Sequence, residues 1–191
     1  MRLSAIGDVT HVVPLINAIR KHMPQAQITC IIGKLEARLL KGLPGVEFIV
    51  FDKKGGFYAI RQLRKTLKDR KFDTLLHMQV AARANLLSKL VKSPVRIGWD
   101  RSRWRDRHQW FINQSVQTTP ELHQVDAFLA FARALEISAE PPVWNLPLSE
   151  ENVSWAKQIL GDGPPILMIS PCSSHPLRNW QAARYAEVAD Y

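Results

Sequence analysis

The sequence is short of cysteine, of acidic residues and of long apolar runs. Its 191 residues include 2 Cys, Cys30 and Cys172, each inside an apolar stretch. That is too few for a disulfide framework and points to a reducing compartment. No apolar run reaches the roughly 18 residues of a membrane helix, and no signal-peptide core follows Met1. No Cys/His cluster has metal-ligand spacing, so no metal is expected. A helix-turn-helix, zinc or aromatic RNA-binding motif is missing too, as is any short internal repeat. With 46% hydrophobic and 23% charged residues, the expectation is a globular, cytoplasmic protein of one large domain or one and a half.

The acidic shortage is uneven. Lys plus Arg number 26 against 17 Asp plus Glu, a formal charge of +9. Residues 52–71 hold eight basic residues (Lys53, Lys54, Arg61, Arg64, Lys65, Lys68, Arg70, Lys71) against Asp52 and Asp69, a net +6. Residues 83–107 hold another eight (Arg83, Lys89, Lys92, Arg96, Arg101, Arg103, Arg105, Arg107) against Asp100 and Asp106, again +6. These two segments carry the whole positive field. Each is either a solvated face or a surface for an anionic partner. The second reading is stronger for residues 98–107, where Arg101, Arg103 and Arg105 alternate in a polar, Trp-containing loop.

Apolar spacing gives a helix over residues 11–23, stopped by Pro24. A β-branched strand follows over 27–32, closed by Gly33. Residues 36–41 read as helix, 46–51 as strand and 58–70 as a basic amphipathic helix opened by Gly55 and Gly56. Next come a strand at 73–78, a helix at 81–91 and a strand at 94–99, which Pro94 confines to an edge or a strand start. A long basic loop then leads to a helix over 121–135. Such alternation implies right-handed βαβ units and a mostly parallel sheet: α/β, Rossmann-like. Pro141, Pro142 and Pro147 mark residues 141–149 as a linker between a domain at 1–140 and the opening of a second at 150–191. In that opening a helix at 150–160, a strand at 166–169 and a helix at 182–189 form one βα unit.

The loop Ser4–Ala5–Ile6–Gly7–Asp8 precedes the first helix, where a βα fold places its ligand loop. Only Met1, Arg2 and Leu3 precede it as a first strand, so either that strand is short or the start of the chain is misplaced, the second being the expectation. Asp8 fits two roles there, a helix cap or a general base facing the crevice. His11, one turn on, reads as a packing or capping histidine.

Three segments carry a resemblance. The run RLSAIGDVTHVVPLINAIRKHMPQAQI, the span HMQVAARANLLSKLVKSPVRIGWDRSRWRDRHQWFIN and the stretch ISPCSSHPLRNWQAARYAEVAD occur in order across the chain. Together they are similar to glycosyltransferase family 9, the heptosyltransferases. The resemblance implies a GT-B fold, of which this chain is the Rossmann-like N-terminal domain plus the first βα unit of the second. It implies inverting, metal-independent transfer of heptose from ADP-heptose, as donor substrate and not cofactor, onto the inner core of lipopolysaccharide. Partners are then a nucleotide sugar and a lipid-anchored core precursor, with peripheral contact at the inner membrane and no nucleic acid.

Site residues follow from the same resemblance. Asp8 matches the family's general base. Ser173, Ser174 and Arg178 match a small polar loop and a basic residue at the donor diphosphate, with Arg where a family member has Lys. Lys53, Lys54, Arg61, Arg64, Arg101, Arg103 and His123 are acceptor-side candidates, although Ala127 stands where a basic residue can occur. Trp99, Trp104 and Trp110 could stack on sugars, with core packing expected for at least two. The 191-residue chain alone is expected to be inactive. Two other readings remain: a family-9 transferase for a different nucleotide sugar, and a basic nucleic-acid-binding α/β module.

Overall fold

The computed structural model describes residues 1–117, 123–138, 140–161, 163–171, 173 and 175–191. The chain divides into two compact units, Met1–Pro147 and Leu148–Tyr191.

In the first unit the apolar stripe after the Ser4–Asp8 loop winds into α1 (Ile6–Thr10) and α2 (Val12–His22). There follow β1 (Ile28–Gly33), α3 (Lys34–Leu39), β2 (Val46–Phe51) and α4 (Gly56–Leu67). Beyond them lie β3 (Thr74–His77), α5 (Ala82–Ser88), β4 (Val95–Gly98), β5 (Gln114–Ser115) and α6 (Gln124–Ala134). Every strand pair is parallel: β1 with β2 from Ile28↔Val46 to Gly33↔Phe51, β3 with β4 from Thr74↔Val95, and β4 with β5 from Ile97↔Gln114.

Met1–Leu3 joins the two sheets. Arg2 bridges Ile32 in parallel, and its N–H donates to the Ile31 carbonyl at 3.1 Å. On the other side the Met78 N–H reaches the Met1 carbonyl at 3.2 Å, and the terminal ammonium donates to the Leu76 carbonyl at 2.6 Å. The spatial order is therefore β2, β1, residues 1–3, β3, β4, β5. The connections run outward in both directions from the central segment, which is the doubly wound pattern. Pro94 stands at a strand start, since β4 has a neighbour on each side. The polar two-residue β5 has no counterpart in the apolar pattern; the side chain of Asn113 ties it down by accepting from the Arg96 N–H at 2.8 Å.

Strand alternation sends side chains to two cores. Cys30, Ile32, Ile97 and Trp99 meet α2 and α6 on one face, through Leu15, Ile16, Phe128 and Phe131. Ile31, Ile49, Phe51 and Leu75 meet α4 and α5 on the other, through Leu63, Leu67, Ala84 and Leu87. Trp144 and Leu146 pack on the first of these, and Asn17 donates to the Val143 carbonyl at 2.8 Å.

The second unit holds α7 (Glu150–Leu160), capped by the Ser149 hydroxyl accepting from the Asn152 N–H at 3.2 Å, and α8 (Ala182–Asp190). Residues 166–169, expected as a strand, form no ladder, and Met168 is 86% exposed. A strand needs a neighbour for its backbone groups, and the described residues of this unit supply none. No helix among the described residues is long and apolar enough to cross a membrane.

Candidate active site at the carboxyl edge of the sheet

Open α/β sheets bind ligands outside the carboxyl ends of their strands, where the strand order reverses. Here that point lies between residues 1–3 and β3. Gln79 spans it: its side-chain carbonyl accepts from the Leu3 N–H at 2.7 Å, and its amide donates to the Ser4 hydroxyl at 3.3 Å. The Ser4–Gly7 loop is thus held over the crevice, and α1 begins within it.

Asp8 sits in the first turn of α1. Its Oδ2 takes two bonds, one from the Ala5 N–H at 3.3 Å and one from the Arg2 guanidinium, an ion pair. Among the described residues Oδ1 accepts nothing, and the side chain is 29% exposed. One carboxylate thus divides its oxygens: Oδ2 caps and pairs, while Oδ1 carries no bond from the described residues. Arg2 also donates to the Met78 carbonyl. Burial pulls its guanidinium down from the ordinary arginine value, and the Asp8 charge opposes this.

Behind the carboxylate, Phe128 is a buried hub. Arg2 lies over its ring at 5.5 Å, His11 at 6.0 Å and Trp99 at 5.2 Å. His11 is 6.1 Å from His123, and its buried Nδ1 has no hydrogen-bond partner among the described residues. His123 caps α6, accepting from the Val125 N–H at 3.3 Å. Arg103 lies 5.1 Å over Trp99 and donates to Gln124 at 3.3 Å. Asp8, Arg103 and His123 thus share one cluster with Arg2, His11 and Gln79. Gln79 carries no local sequence signal for this role, because it acts across about 75 residues of chain; Arg2 is only six residues from Asp8, but its guanidinium is also held by the Met78 carbonyl across the sheet.

The other acceptor-side candidates stand apart. Lys53 pairs with the buried Glu36 at 3.0 Å, close to the carboxyl end of β1. A side chain at Gly33 would collide with Glu36 Oε2 and the Leu3 carbonyl, so glycine permits this approach. The Lys54 N–H donates to Asp52 at 2.9 Å. Arg61, Arg64 and Arg101 are exposed, and no described contact ties them to the Asp8 cluster. Trp99 is core and Trp104 half-buried, donating to the Trp99 carbonyl at 2.6 Å, whereas Trp110 is 65% exposed with Arg107 over its ring.

The basic loop between β4 and β5 hangs on a buried network. Asn85 Oδ1 accepts from His77 Nε2 at 2.8 Å and from His108 Nδ1 at 2.9 Å. The Asn85 amide donates to the Val80 and Asp106 carbonyls, and the Trp99 N–H donates to His108 Nε2 at 3.2 Å. Since an amide oxygen only accepts, both rings donate to it, and His108, which also accepts at Nε2, does so as a neutral ring. Burial and the nearby His108 hold His77 down to about 3, and burial holds His108 down to about 4. Asp106 in turn receives the Ala82 N–H at the start of α5 at 2.8 Å.

In the second unit, Ser173 and Arg178 lie in a loop of local bonds. The Ser173 N–H donates to Asn179 at 2.6 Å, its hydroxyl donates to the His175 carbonyl at 3.2 Å, and the Arg178 N–H donates to the same carbonyl at 3.0 Å. The Arg178 side chain is exposed. Ser174 lies outside the described residues.

A doubly wound unit with a carboxylate and cations at its switch point, followed by a second unit, matches the GT-B class of transferase folds. A family 9 glycosyltransferase of Veillonella parvula superposes with a TM-score of 0.76 at 22% identity, over 99% of this chain and 57% of that one. The E. coli ADP-heptose lipopolysaccharide heptosyltransferase II gives 0.70 at 23%, over 99% and 59%.

The chain belongs to glycosyltransferase family 9 (heptosyltransferase), whose family model matches residues 60–191. It is 37% identical over 190 residues to the lipopolysaccharide core heptosyltransferase OpsX of Haemophilus influenzae. That match covers 100% of the chain and 55% of the relative, so the chain spans about half the length of the curated protein it matches.

Proposed function

We propose that the chain is the acceptor-side part of an inverting heptosyltransferase of lipopolysaccharide core synthesis, together with the opening of its donor-side domain. The observation that carries the reading is Asp8 at the switch point, with Oδ2 held by Arg2 and the Ala5 N–H and Oδ1 open. The relative's name, a lipopolysaccharide core heptosyltransferase, supports the acceptor class, and the E. coli neighbour's ADP-heptose supports the donor.

In this reading Oδ1 takes the proton of the acceptor hydroxyl as its oxygen attacks the anomeric carbon of the donor heptose. The new C–O bond forms as the bond to the diphosphate breaks on the opposite face, which inverts the centre and releases ADP. Arg178, with Ser173 and Ser174, meets the diphosphate charge; arginine can do so bidentately. The reading gives a metal no role. Arg103 and His123 face the acceptor beside Asp8, with Lys53, Lys54, Arg61, Arg64 and Arg101 as an outer cationic rim for its phosphates and acidic sugars. Such an enzyme works from the cytoplasmic side, where nucleotide sugars are made.

The test is a transfer assay on a protein of the relatives' length carrying this chain, with lipid-linked core precursor and a panel of nucleotide sugars. Release of ADP with heptosylated product is expected. Turnover only of another nucleotide sugar would move the chain to a different donor within the family.

A further inference from the structure

Helix α4 has two unlike faces. At about 100° per residue, Ala59, Leu63 and Leu67 form the stripe buried against the sheet. The opposite face presents Phe57 and Tyr58 in the first turn, then Arg61, Arg64, Lys65 and Lys68. Phe57 is 81% exposed and Tyr58 69%. The helix contains no Asp or Glu, and among the described residues none of these four cations is ion-paired. Two large aromatics left in water beside four unpaired cations need an explanation. Scattered apolar side chains are ordinary on surfaces; an aromatic pair leading a cationic face is the composition of an interfacial membrane helix.

We propose that this face of α4 docks on an anionic bilayer surface. Phe57 and Tyr58 enter the headgroup–acyl boundary, and Arg61, Arg64, Lys65 and Lys68 lie against the headgroup phosphates. The two parts reinforce one another. The aromatics supply apolar burial that is indifferent to salt, and the cations supply attraction that fades within a Debye length. Their separation on the helix suits this, with the aromatics at its N-terminal end and the cations along its length. Binders of single-stranded nucleic acid set such cations and aromatics along a groove that tracks the backbone; here they stand on one face of a single helix, with the aromatics only in its first turn. The proposal deepens the reading of a lipid-linked acceptor by naming the surface that meets the lipid. Its test contains no acceptor and no donor, so either can fail alone.

The experiment is co-sedimentation of the 191-residue chain with phosphatidylcholine vesicles, with and without about 30% phosphatidylglycerol, at about 0.1 M salt. Binding is expected only with the anionic lipid, weakening as salt rises. Each cation reversed, Arg61→Glu or Lys65→Glu, should lower the partition coefficient about fivefold or more. The pair Phe57→Ser and Tyr58→Ser should lower it about tenfold with an unchanged melting temperature, since both side chains are exposed. In a Phe57→Trp variant the added fluorescence should blue-shift on binding and be quenched by brominated acyl chains. Equal binding to neutral vesicles, unaltered binding of the Ser pair or an added fluorescence that brominated lipid leaves unquenched each overturn the proposal. So does absence of binding altogether.

Discussion

The two basic segments carry the same net charge, and the structure puts that charge to different uses. In residues 52–71 the cations of α4 stand on an exposed face. In residues 83–107 several cations are consumed within the fold. Arg96 donates to the carbonyls of Phe111, Val91 and Ser88 at 2.8–2.9 Å, Lys89 lies over Phe111, and Arg103 over Trp99. The loop bearing Arg101 and Arg103 is anchored through His108 and Asp106 to Asn85. Equal charge in sequence thus separates into a helix face whose cations are unpaired among the described residues, flanked by Lys53 and Arg70 held by Glu36 and Glu47, and a cationic loop fixed in position. A solvated face suits attraction of an anionic partner, whereas a pinned loop suits geometry beside Asp8.

The sharpest way to break this comparison is at Asn85. Asn85→Ala removes one oxygen and one amide that together satisfy two buried histidines and two carbonyls. It should cost on the order of 3 kcal/mol in urea unfolding. Arg61→Ala with Arg64→Ala should change stability by less than about 0.5 kcal/mol. Similar losses from both would mean that the two segments are not physically distinct.

Acid should find the same difference. His77 and His108 are held to about 3 and about 4 in the folded chain, against roughly 6.5 when unfolded. The unfolded state therefore binds more protons below pH 6.5. Stability from this network is full above that pH and is lost as pH falls below it, by on the order of 3 kcal/mol at pH 5.5 for the two rings together. Urea midpoints from pH 7 to pH 4.5 should decline in the parent, with a shallower decline in a His77→Gln variant. Parallel declines would remove the histidines as the cause.

The smaller expected effect is catalytic. In a protein of the relatives' length, Arg101→Glu with Arg103→Glu should raise the acceptor KM roughly tenfold at low salt and leave the donor KM nearly unchanged. Unaltered acceptor kinetics would separate this loop from the site.

Much of the framework was legible because it depends on local pattern. The strand at 46–51 coincides with β2, and the helices at 58–70 and 150–160 fall on α4 and α7, since apolar periodicity and turn residues mark them. Strand β5 was not legible, being two polar residues whose only determinant is a neighbour. The strand expected at 166–169 shows the converse, an apolar run with no ladder among the described residues. At the site, Asp8 stood out because Gly7 and the following helix mark the loop. Its partners did not. Gln79 and the Met78 carbonyl that holds Arg2 reach the loop only through the folded sheet; in the separate network under the basic loop, Asn85 was equally silent and His77 looked like one more residue of a buried strand.

The central claim is that Asp8 works through an open Oδ1 while Oδ2 is occupied by Arg2 and the Ala5 N–H. The measurement closest to it is the transfer rate of Asp8→Asn in a protein of the relatives' length, read beside its melting temperature. Asparagine keeps the size of the side chain and an acceptor oxygen for the cap, and loses the base. The account predicts a rate lowered by about 10²–10⁴ with the fold retained. A variant that transfers at the parent's rate and melts several degrees lower would contradict it, and would leave Asp8 as a helix cap and ion-pair partner.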